Sequence, residues 1–350
     1  MAYTTIDKPS DYFNTKLYTG NGSTQTISSV GFQPDWTWLK HRDGATAHMI
    51  FDSVRGALYR LQSNSDNTSV SAANTLTSWN SDGFALGTEN DTNGSGRLFT
   101  SWNWKAGTSF TNDASATGIG TIDSTGSFNN DSGFSIVSYT GNATDNASVK
   151  HGLNTAPKMV IIKDLSDTST WGVWHQSLTN AGYRLTLSTT GAQTDDTAFL
   201  GGSSRTLPTS SVFSLGGGGG GNGANANIAY CFAEKQGYSK FGSYTGNGNA
   251  DGAFIYTGFK PAWIMVKRIS AAGSWLIYDN KRNTFNVADK EILAESNIAE
   301  DSVGRFDILS NGFKNKTSNN ANNADGSIYI YMAFAENPFV TSTGVPATAR

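Results

Sequence analysis

Three copies of one pattern run through the chain, and they limit its possible folds more than any single motif does. Tyr-Thr-Gly-Asn stands at 18–21, 139–142 and 244–247. Each copy is followed by a proline (Pro34, Pro157, Pro261), and six residues beyond each proline a lysine (Lys40, Lys163, Lys267) closes an apolar run. Gly-Asn, then a proline, then a short β-branched and aromatic run bounded by charge predicts a turn feeding a buried strand, three times over.

The register continues beyond the lysines. Twelve residues further on stand Asp52, His175 and Asp279, each ending a second strand-like run. A turn before Phe84, Phe213 and Phe313 follows, and an aromatic-rich run around Trp102, Tyr230 and Met332 closes each unit. A unit of roughly 100 residues is long enough to enclose its own core, unlike the 20–50-residue repeats of solenoids and propellers. The expected fold is therefore all-β: three tandem antiparallel β-sandwich repeats, jelly-roll or lectin-like, near 12–107, 133–236 and 238–339. The domain division is 1–107 for the leader and first repeat, 108–236 for a linker and the second, and 237–350 for the third with its tail. A single pseudo-threefold domain is the competing arrangement.

Composition agrees with strands. Charged residues are 15%, aromatics 12%, and glycine numbers 39, a mixture that suits short strands and Gly/Asn/Ser/Thr turns better than long helices. A net charge of −3 offers no basic surface for nucleic acid. The one cysteine, Cys231, excludes an internal disulfide framework and sits in an apolar strand pattern, as a buried thiol does. The N-terminus lacks the basic and apolar regions of a signal peptide, and no window reaches about 18 apolar residues, so synthesis in the cytoplasm without membrane insertion is expected.

Some stretches depart from the repeat. Residues 108–132, rich in Thr, Ser, Gly, Asn and Asp, read as an exposed connection with room for one hairpin. The six glycines at 216–221 read as a flexible surface loop. Residues 291–294 lie among good helix formers, yet the matching positions of the other repeats alternate with period two, which predicts a strand. The leader, 1–16, and the polar tail after Phe339 are expected to be ordered only where neighbouring chains hold them.

Residues 18–40 and 133–163, and above all AYCFAEKQGYSKFGSYTGNGNADGAFIYTGFKPAWIMVKR followed by WLIYDNKR and IYIYMAFAENPF, resemble a repeated β-rich module of virion proteins of tailed bacteriophages, particularly marine ones. The resemblance runs from Tyr12 to Phe339, and the six-glycine loop and His175 in place of aspartate depart from it. It implies a non-enzymatic phage virion protein of tail-fibre or receptor-binding type, engaging a host cell-surface glycan or protein. Other virion proteins would be its partners, the virion its location and, by analogy with phage fibres, a homotrimer its assembly. The alternatives are a purely structural component, such as a head decoration or fibre shaft, and a polysaccharide-degrading enzyme.

Chemistry-bearing residues are sparse. His41, His48, His151 and His175 show no paired-ligand spacing, so no metal, cofactor or catalytic residue is expected. Asp91-Thr92-Asn93-Gly94 and Asp325-Gly326 lack a full calcium ligand set and read as turns. Asp52 with Arg55, and Asp279 with Arg282, read as structural braces, with Asp279→Ala costing about 1 kcal/mol if the pair is only partly buried. Trp36 and Trp38 alternate, as do Trp102 and Trp104, so each pair shares a strand face. Such faces serve either as core or as sugar-stacking platforms. Trp79, Trp102 and Trp104 are the candidate ligand-stacking residues, Trp79 first because Ser78, Asn80 and Ser81 surround it.

Overall fold

Each repeat builds the same four-stranded antiparallel sheet. In the first, the spatial order is Phe13–Thr19, Leu98–Trp104, Trp36–His41, Met49–Asp52. The second repeats it with Phe134–Thr140, Ala226–Phe232, Met159–Asp164 and Gly172–His175. In the third, the strands are Ser239–Thr245, Ile328–Pro338, Phe259–Arg268 and Trp275–Asp279. A computed structural model describes residues 3–347 of the chain. Among them helix is limited to single turns, such as Asn90–Asn93 and Asn320–Asn323.

The Tyr-Thr-Gly-Asn motif clamps the segment that leads into each closing strand. Each tyrosine hydroxyl donates to a backbone carbonyl in the segment before the closing strand, Tyr18 to Thr92 at 2.7 Å, Tyr139 to Gly221 at 2.6 Å and Tyr244 to Asn322 at 2.7 Å. The motif's asparagine N–H donates to a buried amide oxygen, of Asn93, Asn222 and Asn323 in turn. Between them the glycine lies against backbone. A Cβ at Gly20, Gly141 or Gly246 would come within 2.2, 2.0 or 2.3 Å of a carbonyl oxygen, so no other residue fits.

The expectation of three tandem, self-contained sandwiches is overturned: the fold is all-β but forms one continuous multi-sheet domain. Both faces of the strand after each proline are apolar and buried. One face packs beneath an outer layer of its own repeat, for example Leu39 and Phe51 against Leu76, Phe84 and Leu86. The other face needs a cover that a single repeat cannot supply. It finds one in the other two repeats, and a single core joins Trp36 and Trp104 to Tyr230 and Phe232 and to Trp263 and Phe334. Ring contacts cross every seam, with Trp36–Tyr230 at 4.8 Å, Trp104–Trp263 at 5.7 Å and Phe232–Phe334 at 6.2 Å between centroids.

Polar contacts close the same ring. Lys163 Nζ donates to the Asp66 carbonyl, Lys267 to Thr190 and Lys40 to Asn297, so each repeat reaches the one before it and the first reaches the third. Equivalent ring nitrogens do likewise: Trp171 bonds the Gln62 carbonyl at 2.8 Å, Trp275 that of Thr186 at 3.0 Å and His48 that of Leu293 at 3.0 Å. Burial pushes each of the three lysines down to about 8, and the carbonyl acceptors offset part of that desolvation.

Local departures have local causes. The predicted strand at 291–294 is present as Ala288–Leu293; Glu291 faces inward, where Tyr278 and Arg305 donate to its carboxylate. The glycine run is packed at both ends, since a Cβ at Gly216 would meet the Thr197 carbonyl at 2.1 Å and one at Gly221 the Phe199 ring at 3.2 Å. Leader and tail are held by their own chain: Tyr3 donates to the Gly258 carbonyl, Thr4 to that of Gln236, and Ser342 N–H to Asp7. Positions 1–2 and 348–350 of those segments lie outside the described residues.

Candidate functional site

Trp102 and Trp104 lie fully enclosed in the shared core, together with Trp36 and Trp38. Trp102 spends its N–H on Asp279 of the third repeat, at 2.9 Å. Neither ring offers a face to a ligand. Trp79 is half-buried against the first repeat's outer core, beside Phe84 on the neighbouring strand. The structure does not bring the three together into one surface.

The other singled-out groups are internal. Asp52 and Arg55 meet at 2.6 Å, and Asp279 and Arg282 at 2.5 Å, all four side chains nearly or fully buried. Cys231 is buried, and desolvation pushes its thiol up to about 12. His48, His151 and His175 are buried, and desolvation drives them down to about 3, 4 and 3. Among the described residues no group of three or more His, Cys, Asp or Glu comes together to hold a metal ion. No helix among them is long and apolar enough to cross a membrane.

An open polar surface appears where the sequence placed only a connection. Residues 108–132 do form a hairpin, Thr108–Asn112 against Ser124–Asn129, but it pairs onto the opening strand of the second repeat and extends that sheet by two strands. Thr111 faces Thr125, and Thr125 faces Ser138, so three hydroxyls stand in a row on one face. The shared core ends short of this face. What remains is a depression of about 390 Å³ bordered by Asp113 and Asp123.

The depression extends both ways. Past Asp123 and Thr140 it meets a second hollow of about 390 Å³. Through Ser138 it meets a third, of about 310 Å³, at the seam between the first and second repeats, lined by Val54, Arg55, Tyr59, Ser69 and Leu165. Tyr59 is 46% exposed and gives that end an aromatic ring. Arg55 is satisfied internally: Nε donates to Asp52, and Nη1 to the Tyr59 carbonyl and the Ser69 hydroxyl. The groove thus runs from an aromatic end, across hydroxyls, to a carboxylate end. Volumes of this order suit a small-molecule or oligosaccharide ligand, and this set of groups can stack on a ring and bond hydroxyls but shows no assembled nucleophile and base.

The chain belongs to the family described as a domain of unknown function, DUF7483. The family model matches residues 8–338, a span that takes in all three repeats together, as a shared core requires. No curated protein and no solved structure matches it.

Sequence reasoning missed Tyr59, Ser138 and the hairpin carboxylates as one surface. A signal was present, because residues 108–132 separate the first two repeats whereas the second runs almost directly into the third. An insertion at one seam of a threefold pattern marks that seam as different. Tyr59 carried no such mark, since its neighbourhood reads as an ordinary strand.

Proposed function

We propose that this member of the family is a non-enzymatic virion protein of a tailed bacteriophage, of tail-fibre or receptor-binding type, that holds a host-surface glycan in the groove between its first two repeats. The phage assignment rests on the resemblance of residues 12–339 to repeated virion modules. The glycan assignment is carried by one observation, the open hydroxyl row of Thr111, Thr125 and Ser138 between the Tyr59 ring and the carboxylates of Asp113 and Asp123. Sugars present alternating hydroxyls and apolar ring faces, and this surface offers partners for both.

A glycan array read with the purified protein, alongside blocking of phage adsorption to host cells, tests the proposal. Binding of a discrete glycan set together with blocked adsorption supports it. No binding and no blocking would leave the structural reading, a head decoration or fibre-shaft component, which the three-way interlocked core also suits. Release of reducing sugar from host polysaccharide would replace both with an enzyme. Assembly as a homotrimer on the virion belongs to the same proposal by analogy with phage fibres, and a stable 37.2 kDa monomer in mass photometry would limit that assembly to the virion itself.

A further inference from the structure

The groove has a charge polarity that narrows its ligand. Its aromatic end contains the only cation among the lining residues, Arg55, and that guanidinium is 4% exposed and bonded to Asp52 at 2.6 Å. It has no charge left to offer an anion. The opposite end carries Asp113 and Asp123, side by side across the base of the hairpin, since Asp123 Oδ1 accepts the N–H of Ala114. Asp113 Oδ1 accepts the Ser115 hydroxyl and the Ala116 N–H, bonds that hold its carboxyl below the usual carboxylate range. Between the ends lie the uncharged hydroxyls of Thr111, Thr125 and Ser138.

Length adds a second constraint. From Ser138, where the hollow that holds Tyr59 begins, the hydroxyl row crosses two strand spacings to Thr111, roughly 10 Å at about 4.8 Å each, more than one monosaccharide spans. We infer, resting on the glycan reading above, that the groove takes an oligosaccharide carrying a free amino group, its ring face on Tyr59 and its ammonium at Asp113 and Asp123. Acidic glycans are excluded, because a carboxylate or sulfate there would meet two like charges with no cation to offset them.

The test is a binding panel at pH 6, where amines are protonated and carboxylates ionised. Immobilised de-acetylated amino-sugar oligomers, their N-acetylated counterparts and uronic-acid oligomers are compared on the full chain. The amine-bearing series should bind about fivefold tighter than the acetylated one, the margin expected of a partly exposed charge pair, and lose that margin in high salt. The uronate series should not bind.

The Asp113→Asn, Asp123→Asn double variant keeps both amide oxygens as acceptors for the hairpin N–H groups and removes only charge. It should bind both neutral and amine-bearing oligomers equally and unfold cooperatively, with at most a small drop in midpoint from the weaker, uncharged acceptor at position 113. Equal binding of amine and acetylated series by the native protein, or preferential binding of uronates, overturns the inference while leaving the glycan reading intact. Failure of every series, in a protein that also fails the wider glycan array, removes the glycan reading itself.

Discussion

Asp279 reaches across the seam between the third and first repeats with a charge, whereas the equivalent residue, His175, reaches across the seam between the second and third with a neutral imidazole. At the first, Asp279 accepts Trp102 Nε1–H at 2.9 Å and Arg282 Nε–H at 2.5 Å, and Arg282 continues to Glu300, which grips Arg42 of the first repeat with both oxygens. At the second, His175 Nε2 bonds the Tyr331 carbonyl at 3.3 Å, and Leu178 stands near where an arginine would. One role is common to both: Asp279 Oδ1 accepts the Lys281 N–H, and His175 Nδ1 accepts the Ser177 N–H. The repeat therefore requires an acceptor at that position to fasten the turn. The contact across the seam is free to be ionic or neutral.

The largest expected effect comes from breaking the ionic seam. Asp279 and Arg282 are fully buried, so Asp279→Ala leaves the guanidinium with only the Glu300 carboxylate that Arg42 shares and should cost about 3 kcal/mol, the low end for breaking a buried pair and still above the figure for a partly buried one. Adding Arg282→Leu, which copies the second repeat, should recover much of that loss. Denaturant midpoints of the single and double variants measure both. A single variant within 1 kcal/mol of native would mean that the ion pair contributes little beyond its own desolvation.

The seam between the first and second repeats mixes the two chemistries, and it gives a smaller effect. Tyr230 donates to Asp52 at 2.7 Å from a fully buried hydroxyl. Tyr230→Phe keeps the ring stacked on Trp36 and removes one hydrogen bond to a charged group, so about 1.5–3 kcal/mol should be lost. If thermal unfolding shows no change, Arg55 and the Val54 N–H are satisfying Asp52 without the tyrosine.

These seams also mark what could be read in advance. The strands were legible because the turn, proline, apolar run and lysine recur at fixed spacing; the tyrosines recur with them, but the carbonyls their hydroxyls clamp lie 74 to 82 residues away in sequence and left no local mark. Closure was not, although the apolar residues on both faces of 36–39, 159–162 and 263–266 were its signature. A strand buried on both faces needs two covers, and a repeat of this length supplies one. The lysines at 40, 163 and 267 read as the polar ends of strands, yet each is buried against the preceding repeat. Trp102 and Trp104 look the same in sequence whether a platform faces solvent or a second sheet, because alternation fixes which residues share a face and says nothing of what covers it.

The smallest effect separates the seams by pH. His175 and His48 have folded-state pKa values of about 3, chiefly because burial penalises the charged ring, against about 6.5 in an unfolded chain. The unfolded state takes up the proton first, so the stability of a neutral buried histidine is fully present above pH 6.5 and is lost as pH falls towards 3. Between pH 6 and 5 each should cost close to the single-proton limit of about 1.4 kcal/mol. His175→Gln keeps a polar group at the neutral seam without a titrating proton, and its stability curve should be flatter than native by about one proton across that interval. His48→Gln should do the same at the third-to-first seam, where the charge of Lys40 adds to desolvation. If neither variant changes the acid slope, the two buried histidines are not what limits stability in acid.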